Sequence, residues 1–160
     1  MAGARLASSP DSAPPARRDG LARLKRMVAG EEPPAPIMSV LDFRLVEVDA
    51  GRAVFRGTPR AAFYNPLGTV HGGWTATLLD SALGCAVHST LSPDEGYTTV
   101  EFKVSLTRPI REATGECVCE GEVVHRGKRI ATAQAWLRDG AGKLLAHGTE
   151  TCLVFPLEAG

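Results

Sequence analysis

The chain has 160 residues, of which 18 are basic and 18 acidic, so its formal net charge is zero. That balance excludes the broad basic surface that nucleic acid or an anionic membrane requires. With 44% apolar and 22% charged residues it has the composition of a soluble globular protein, about one domain in length.

Residues 1–20, MAGARLASSPDSAPPARRDG, are rich in Ala, Ser, Pro and Arg. They hold no apolar run long enough for a signal-peptide core or a membrane span, and a disordered tail is expected. Leu21, Leu24, Met27 and Val28 then fall at helical spacing, which predicts a short amphipathic helix over 21–29. The EEPPAP stretch at 31–36 breaks it, and a compact domain is expected from 37 to 157. Residues 37–48 and 52–57 flank Asp49-Ala50-Gly51 and read as a β-hairpin.

A loop containing Pro66 and Gly68 leads to one long helical segment over roughly 72–91. Beyond Pro93 and Gly96 the period changes to two. Val100, Phe102, Val104 and Leu106 alternate with polar residues as in a half-buried strand. Further strands are expected at 115–125, 128–138 and 143–154, with turns near Gly127 and at Asp139-Gly140-Ala141-Gly142. A lone long helix among runs of strands joined by short turns indicates an α+β fold with an antiparallel sheet. A single helix covers only one face of such a sheet, so an oligomer is expected to shield the rest.

The four cysteines, Cys85, Cys117, Cys119 and Cys152, show no C-x-x-C spacing. Reduced, mostly buried thiols are expected, in keeping with a cytoplasmic protein.

The helix over 72–91 is apolar on most sides and therefore buried, yet Asp80 lies in its middle with no Lys or Arg between 72 and 91. Asp80 either faces solvent or bonds a neighbour such as Thr77, or it is a desolvated carboxyl with a raised pKa. The segment Gly68-Thr69-Val70-His71-Gly72-Gly73 sets two glycines at the helix start. Their N–H groups have no intrahelical partner, and the helix dipole adds partial positive charge there. A carbonyl oxygen or an oxyanion suits such a place. The donors and the acid are about two turns apart, roughly 10 Å, so one small group meets both only if a second subunit supplies one of them.

Asn65-Pro66-Leu67-Gly68-Thr69-Val70-His71-Gly72-Gly73, followed by Leu79-Asp80-Ser81, resembles the hotdog-fold thioesterases of the PaaI-like group. That group includes 4-hydroxybenzoyl-CoA thioesterases and thioesterase superfamily member 2. The similarity covers about residues 37–155 and includes the Thr98–Pro109 strand and the turn at His125–Lys128. It implies an antiparallel sheet wrapped around one long central helix, and paired subunits that commonly form a tetramer. It also implies hydrolysis of an acyl-CoA thioester without a metal or cofactor, coenzyme A being part of the substrate.

By the same resemblance Gly72 donates its N–H to the thioester carbonyl with Gly73 beside it, Asn65 helps hold that carbonyl or the water, and His71 positions the loop and the carbonyl. Asp80, from the facing subunit, serves as general base or nucleophile, and Thr99 stands where relatives place a hydroxyl that orients the water or the acid. Arg108, Arg111, Arg126 and Lys128, with Gly127 in the turn, are expected to meet the phosphates of coenzyme A, and Trp74 to line the acyl pocket. The rival readings are a non-catalytic acyl-CoA-binding module, a sensor and a dehydratase. A plain binder is expected to lack the acid, a sensor needs a DNA-binding part that residues 1–36 do not supply, and a dehydratase pairs its acid differently with a histidine.

Overall fold

A computed structural model describes residues 19–157; most of the expected tail lies outside them. Helix α1 (Gly20–Val28) is capped by Asp19, whose side chain accepts from the Ala22 amide at 2.7 Å. Its Leu24 is 2% exposed and sits in the main core. A short helix α2 (Pro36–Val40) follows. Residues 37–40 are therefore helical rather than the start of the hairpin, because the fixed φ of Pro36 suits a first helical position.

Strands β1 (Phe43–Asp49) and β2 (Arg52–Gly57) then pair across Gly51, whose φ of 79° favours glycine. Helix α3 (Gly72–His88) is the long central helix. Strands β3 (Glu95–Leu106), β4 (Cys117–Arg126), β5 (Ile130–Arg138) and β6 (Leu144–Pro156) complete the chain. All six strands form one antiparallel sheet in the order β1-β2-β4-β5-β6-β3.

The sheet wraps α3, whose Leu78, Leu79, Ala82, Leu83, Ala86 and Val87 are fully buried. The fold is the hotdog. Gly121 of β4 allows the close approach: a Cβ there would lie 2.4 Å from the Ala82 carbonyl oxygen. All four cysteines are free thiols, three of them buried.

β3 departs from the half-buried expectation. It is an edge strand, and Val100, Phe102 and Leu106 are 61%, 42% and 58% exposed. Phe102, Val104 and Leu106 lie opposite Glu150, Gly148 and Ala146 of β6, residues on its inward, alternately buried face. They therefore point to the helix side of the sheet, where Val104 packs against the core and Leu106 lies against Gly72 of α3, while Phe102 stays open. Val100 occupies the β-bulge between Thr99 and Glu101.

Candidate active site

Asn65 builds the loop before α3. Its Oδ1 accepts from the Leu67 amide at 2.9 Å, and its Nδ2 donates to Thr69 Oγ1 at 3.0 Å. An Asx turn of this kind fixes a loop without help from secondary structure. His71 is the N-cap of α3, with Nδ1 accepting from the Gly73 amide at 2.9 Å. That bond makes Nδ1 an acceptor and leaves Nε2 as the ring nitrogen that can donate. It also occupies the Gly73 donor. Of the two glycines at the helix mouth, only Gly72 keeps an N–H with no hydrogen bond among the described residues, at the positive end of the helix dipole.

Gly72, Asn65 and Arg108 share a groove of 240 Å³ that also touches Leu106 and Ile110. The groove continues past Arg108 and Pro109 into a cleft of 610 Å³ whose cations are Arg108, Arg111 and Lys143. Lys143 carries no signal in the sequence that separates it from an ordinary turn residue. Its place in the cleft comes from the turn between β5 and β6 folding beside the segment that follows β3.

Asp80 and Thr99 share a different hollow. This cavity of 230 Å³ has apolar walls from Met27, Met38, Phe55 and Tyr97. α1 and α2 supply the two methionines, so the N-terminal helices form part of the wall. Asp80 takes no hydrogen bond or ion pair among the described residues, and burial raises its pKa above the ordinary carboxylate value. Thr77 does not serve it, since its hydroxyl donates to the Gly73 carbonyl at 2.9 Å.

Thr99 Oγ1 donates to Oε1 of Glu150 at 2.8 Å. Burial is also the main cause that raises the Glu150 pKa, with Asp80 adding to the effect. The sequence reading missed Glu150. The available signal was its register: Ala146, Gly148, Cys152 and Val154 alternate inward on β6, and Glu150 stands in their series.

Two expected substrate contacts lie elsewhere in this chain. Trp74 is 3% exposed, donates Nε1–H to the Leu41 carbonyl at 2.8 Å and stacks on Phe63. It packs the core and lines neither hollow, because its position on α3 faces the sheet. Arg126 holds Glu95 at 2.8 Å and also donates to the Gly127 carbonyl. Glu95 begins β3, roughly 35 Å along the strand from Leu106. The turn with Gly127 and Lys128 is therefore at the opposite end of the sheet from Arg108 and Arg111, as the antiparallel run of β4 dictates.

In a single chain the site thus divides into donors with cations on one side and acid with hydroxyl on the other. The family model of the thioesterase superfamily matches residues 67–146, which hold both halves except Asn65 and Glu150. The chain is 31% identical over 109 residues to human acyl-coenzyme A thioesterase 13, covering 67% of this chain and 76% of that protein. Among solved structures, a thioesterase family protein from Silicibacter pomeroyi is 27% identical with a TM-score of 0.73, over 82% of this chain and 98% of that one. A mutant form of the phenylacetic acid degradation protein PaaI from Thermus thermophilus is 27% identical with a TM-score of 0.68, over 74% and 98%. Sequence and fold similarity agree, and the chain belongs to the thioesterase superfamily.

Proposed function

We propose that the protein hydrolyses an acyl-CoA thioester to the free acid and coenzyme A, at a site shared between two subunits. The observation that carries this is a Gly72 N–H and a half-buried Asp80 on one helix, neither with a partner among the described residues, each opening into its own hollow. Edge strand β3 supplies the means of joining them. Two copies pairing antiparallel about Phe102 of β3 bring Leu106, whose side chain lies over Gly72, opposite Thr98 of the partner subunit and so beside Thr99 of the partner subunit. The apolar row on β3 is covered by the same step.

The thioester carbonyl oxygen then lies on the Gly72 N–H, with Asn65 and His71 holding the loop that aims it. Preorganised donors of this kind act where negative charge develops on the oxygen. Asp80 of the facing subunit takes a proton from water as the water oxygen bonds to the carbonyl carbon. Collapse of the tetrahedral species breaks the C–S bond, and the thiolate of coenzyme A leaves. Direct attack by the Asp80 carboxylate, with water hydrolysing the resulting anhydride, is the second route. A single turnover in ¹⁸O-water that leaves label in Asp80 marks the second route, with water attacking the aspartyl carbonyl of the anhydride. The acyl group enters the apolar cavity beneath Met27 and Met38, and Arg108, Arg111 and Lys143 meet the phosphates.

The test is thiol release from a panel of aromatic and aliphatic acyl-CoAs by the wild type and Asp80→Asn. The substitution is expected to lower turnover about 10²–10⁴-fold, the usual worth of a positioned base. Unchanged hydrolysis on every good substrate would remove Asp80 from the chemistry. Tight acyl-CoA binding with no hydrolysis by the wild type would favour a plain binding module.

A further inference from the structure

The hydroxyl that lines the Asp80 cavity is held from behind by a second acid. Glu150 is 2% exposed, and a glutamate is almost never buried so deeply unless a cation pairs with it. No Lys or Arg pairs with Glu150 among the described residues. Its Oε1 accepts from Thr99 Oγ1 at 2.8 Å and from Cys152 Sγ at 2.9 Å, while Oε2 is buried with no partner among the described residues. An apolar side chain would fill the position at lower cost to stability.

What Glu150 does to Thr99 follows from the inventory of a hydroxyl, which has one proton to give and two lone pairs. With its proton committed to Glu150, Thr99 Oγ1 can only accept on the cavity side. A water lying between Thr99 and Asp80 then gives one hydrogen to each and keeps a lone pair free for the carbonyl carbon. Without Glu150 the Thr99 proton is free to turn toward the cavity, where it competes for that lone pair or for the Asp80 carboxylate. Cys85 and Tyr97, the other titratable groups on the cavity wall, are neutral near pH 7 and impose no such order.

We propose that Glu150 is a positioning residue that fixes Thr99 as a hydrogen-bond acceptor for the attacking water. The inference rests on the thioesterase reading above.

Steady-state hydrolysis of the best acyl-CoA by wild type, E150Q, E150M, T99S, T99V and the E150M/T99V double variant tests it. E150M and T99V are each expected to lower kcat about 10–100-fold with KM little changed, the usual penalty for a misplaced reactant, and the double variant to fall no further than T99V. E150Q keeps an acceptor of the same shape and T99S keeps the hydroxyl, so both hold kcat within about threefold of wild type. The melting temperature of E150M does not fall, whereas a merely structural Glu150 would lower it. Wild-type kcat in E150M, a multiplicative loss in the double variant, or a Gln variant as slow as the Met one would each overturn the inference alone. If E150M fails to fold, T99V against T99S and E150Q still decides, since wild-type kcat in T99V is fatal to it. Absence of thiol release by the wild type on every acyl-CoA would overturn the thioesterase reading and this inference with it.

Discussion

Asp80 lies on a helix without a cation, half-buried above an apolar cavity, and desolvation raises its pKa above the ordinary 3.8. The sign of the consequence differs for activity and for stability. A general base works only when ionised, so kcat/KM is expected to fall with acid along a limb centred above pH 3.8. Folding favours the protonated form of a group whose pKa rises on burial. The stability it contributes is therefore complete below the unfolded value and lost as pH rises through the folded one. Asp80→Asn should thus melt higher than wild type at neutral pH, with the difference shrinking as pH falls toward 3.8, while its hydrolysis is lost. Melting curves and pH–rate profiles on the two proteins check both halves. A variant that is more stable and inactive marks a side chain held at the expense of the fold, as active-site groups often are.

At the scale of elements, the separation of α3 from β4 determines where Asp80 sits. Gly121 leaves room for the Ala82 carbonyl, and the cavity side of the same helix carries Asp80 one half-turn earlier. Gly121→Ala forces the two apart, and overpacking of this kind costs typically about 1–3 kcal/mol. A lower denaturation midpoint is expected, with a smaller kcat because Asp80 moves with the helix; urea titration and thiol release read the two effects. The helix itself was legible from its apolar run and its glycine start, and the hairpin, the turn at Gly127 and the last three strands from period two. Residues 37–40 are not legible as helix in the sequence, because a Pro followed by apolar residues fits a strand entry as well as a first helical turn. The packing of Trp74 into the core is not legible in the sequence, because a position just after the helix mouth says nothing about which side of the helix faces the sheet.

For the whole molecule, the decisive feature is the uncovered β3. An uncovered apolar edge is an invitation to pair, and Val100, Phe102 and Leu106 stand exposed along it. Phe102→Glu sets like charges facing each other across a two-fold β3 pair, and direct like-charge opposition in a sheet is destabilising. Sedimentation is expected to show a dimer or larger species for wild type and a monomer for the variant, with hydrolysis lost alongside. A monomeric variant that retains full kcat would refute a site shared between subunits.

The order of elements, the long buried helix and the chemical candidates along Asn65–Asp80 and at Thr99 could be read without coordinates. Each is written in local spacing: a period of two or 3.6, a glycine at a helix mouth, an acid in an apolar run. Which groups meet is not local. Antiparallel strand order carried Arg126 away from Arg108 and brought Lys143 beside it, and register on β6 turned Glu150 inward to the Thr99 hydroxyl. The commitment of the Gly73 amide to His71, which leaves Gly72 as the open donor, needed the cap geometry itself. Spacing along a chain specifies the period and face of each element, whereas distance between elements follows from how the sheet closes around the helix, and only the folded chain fixes that.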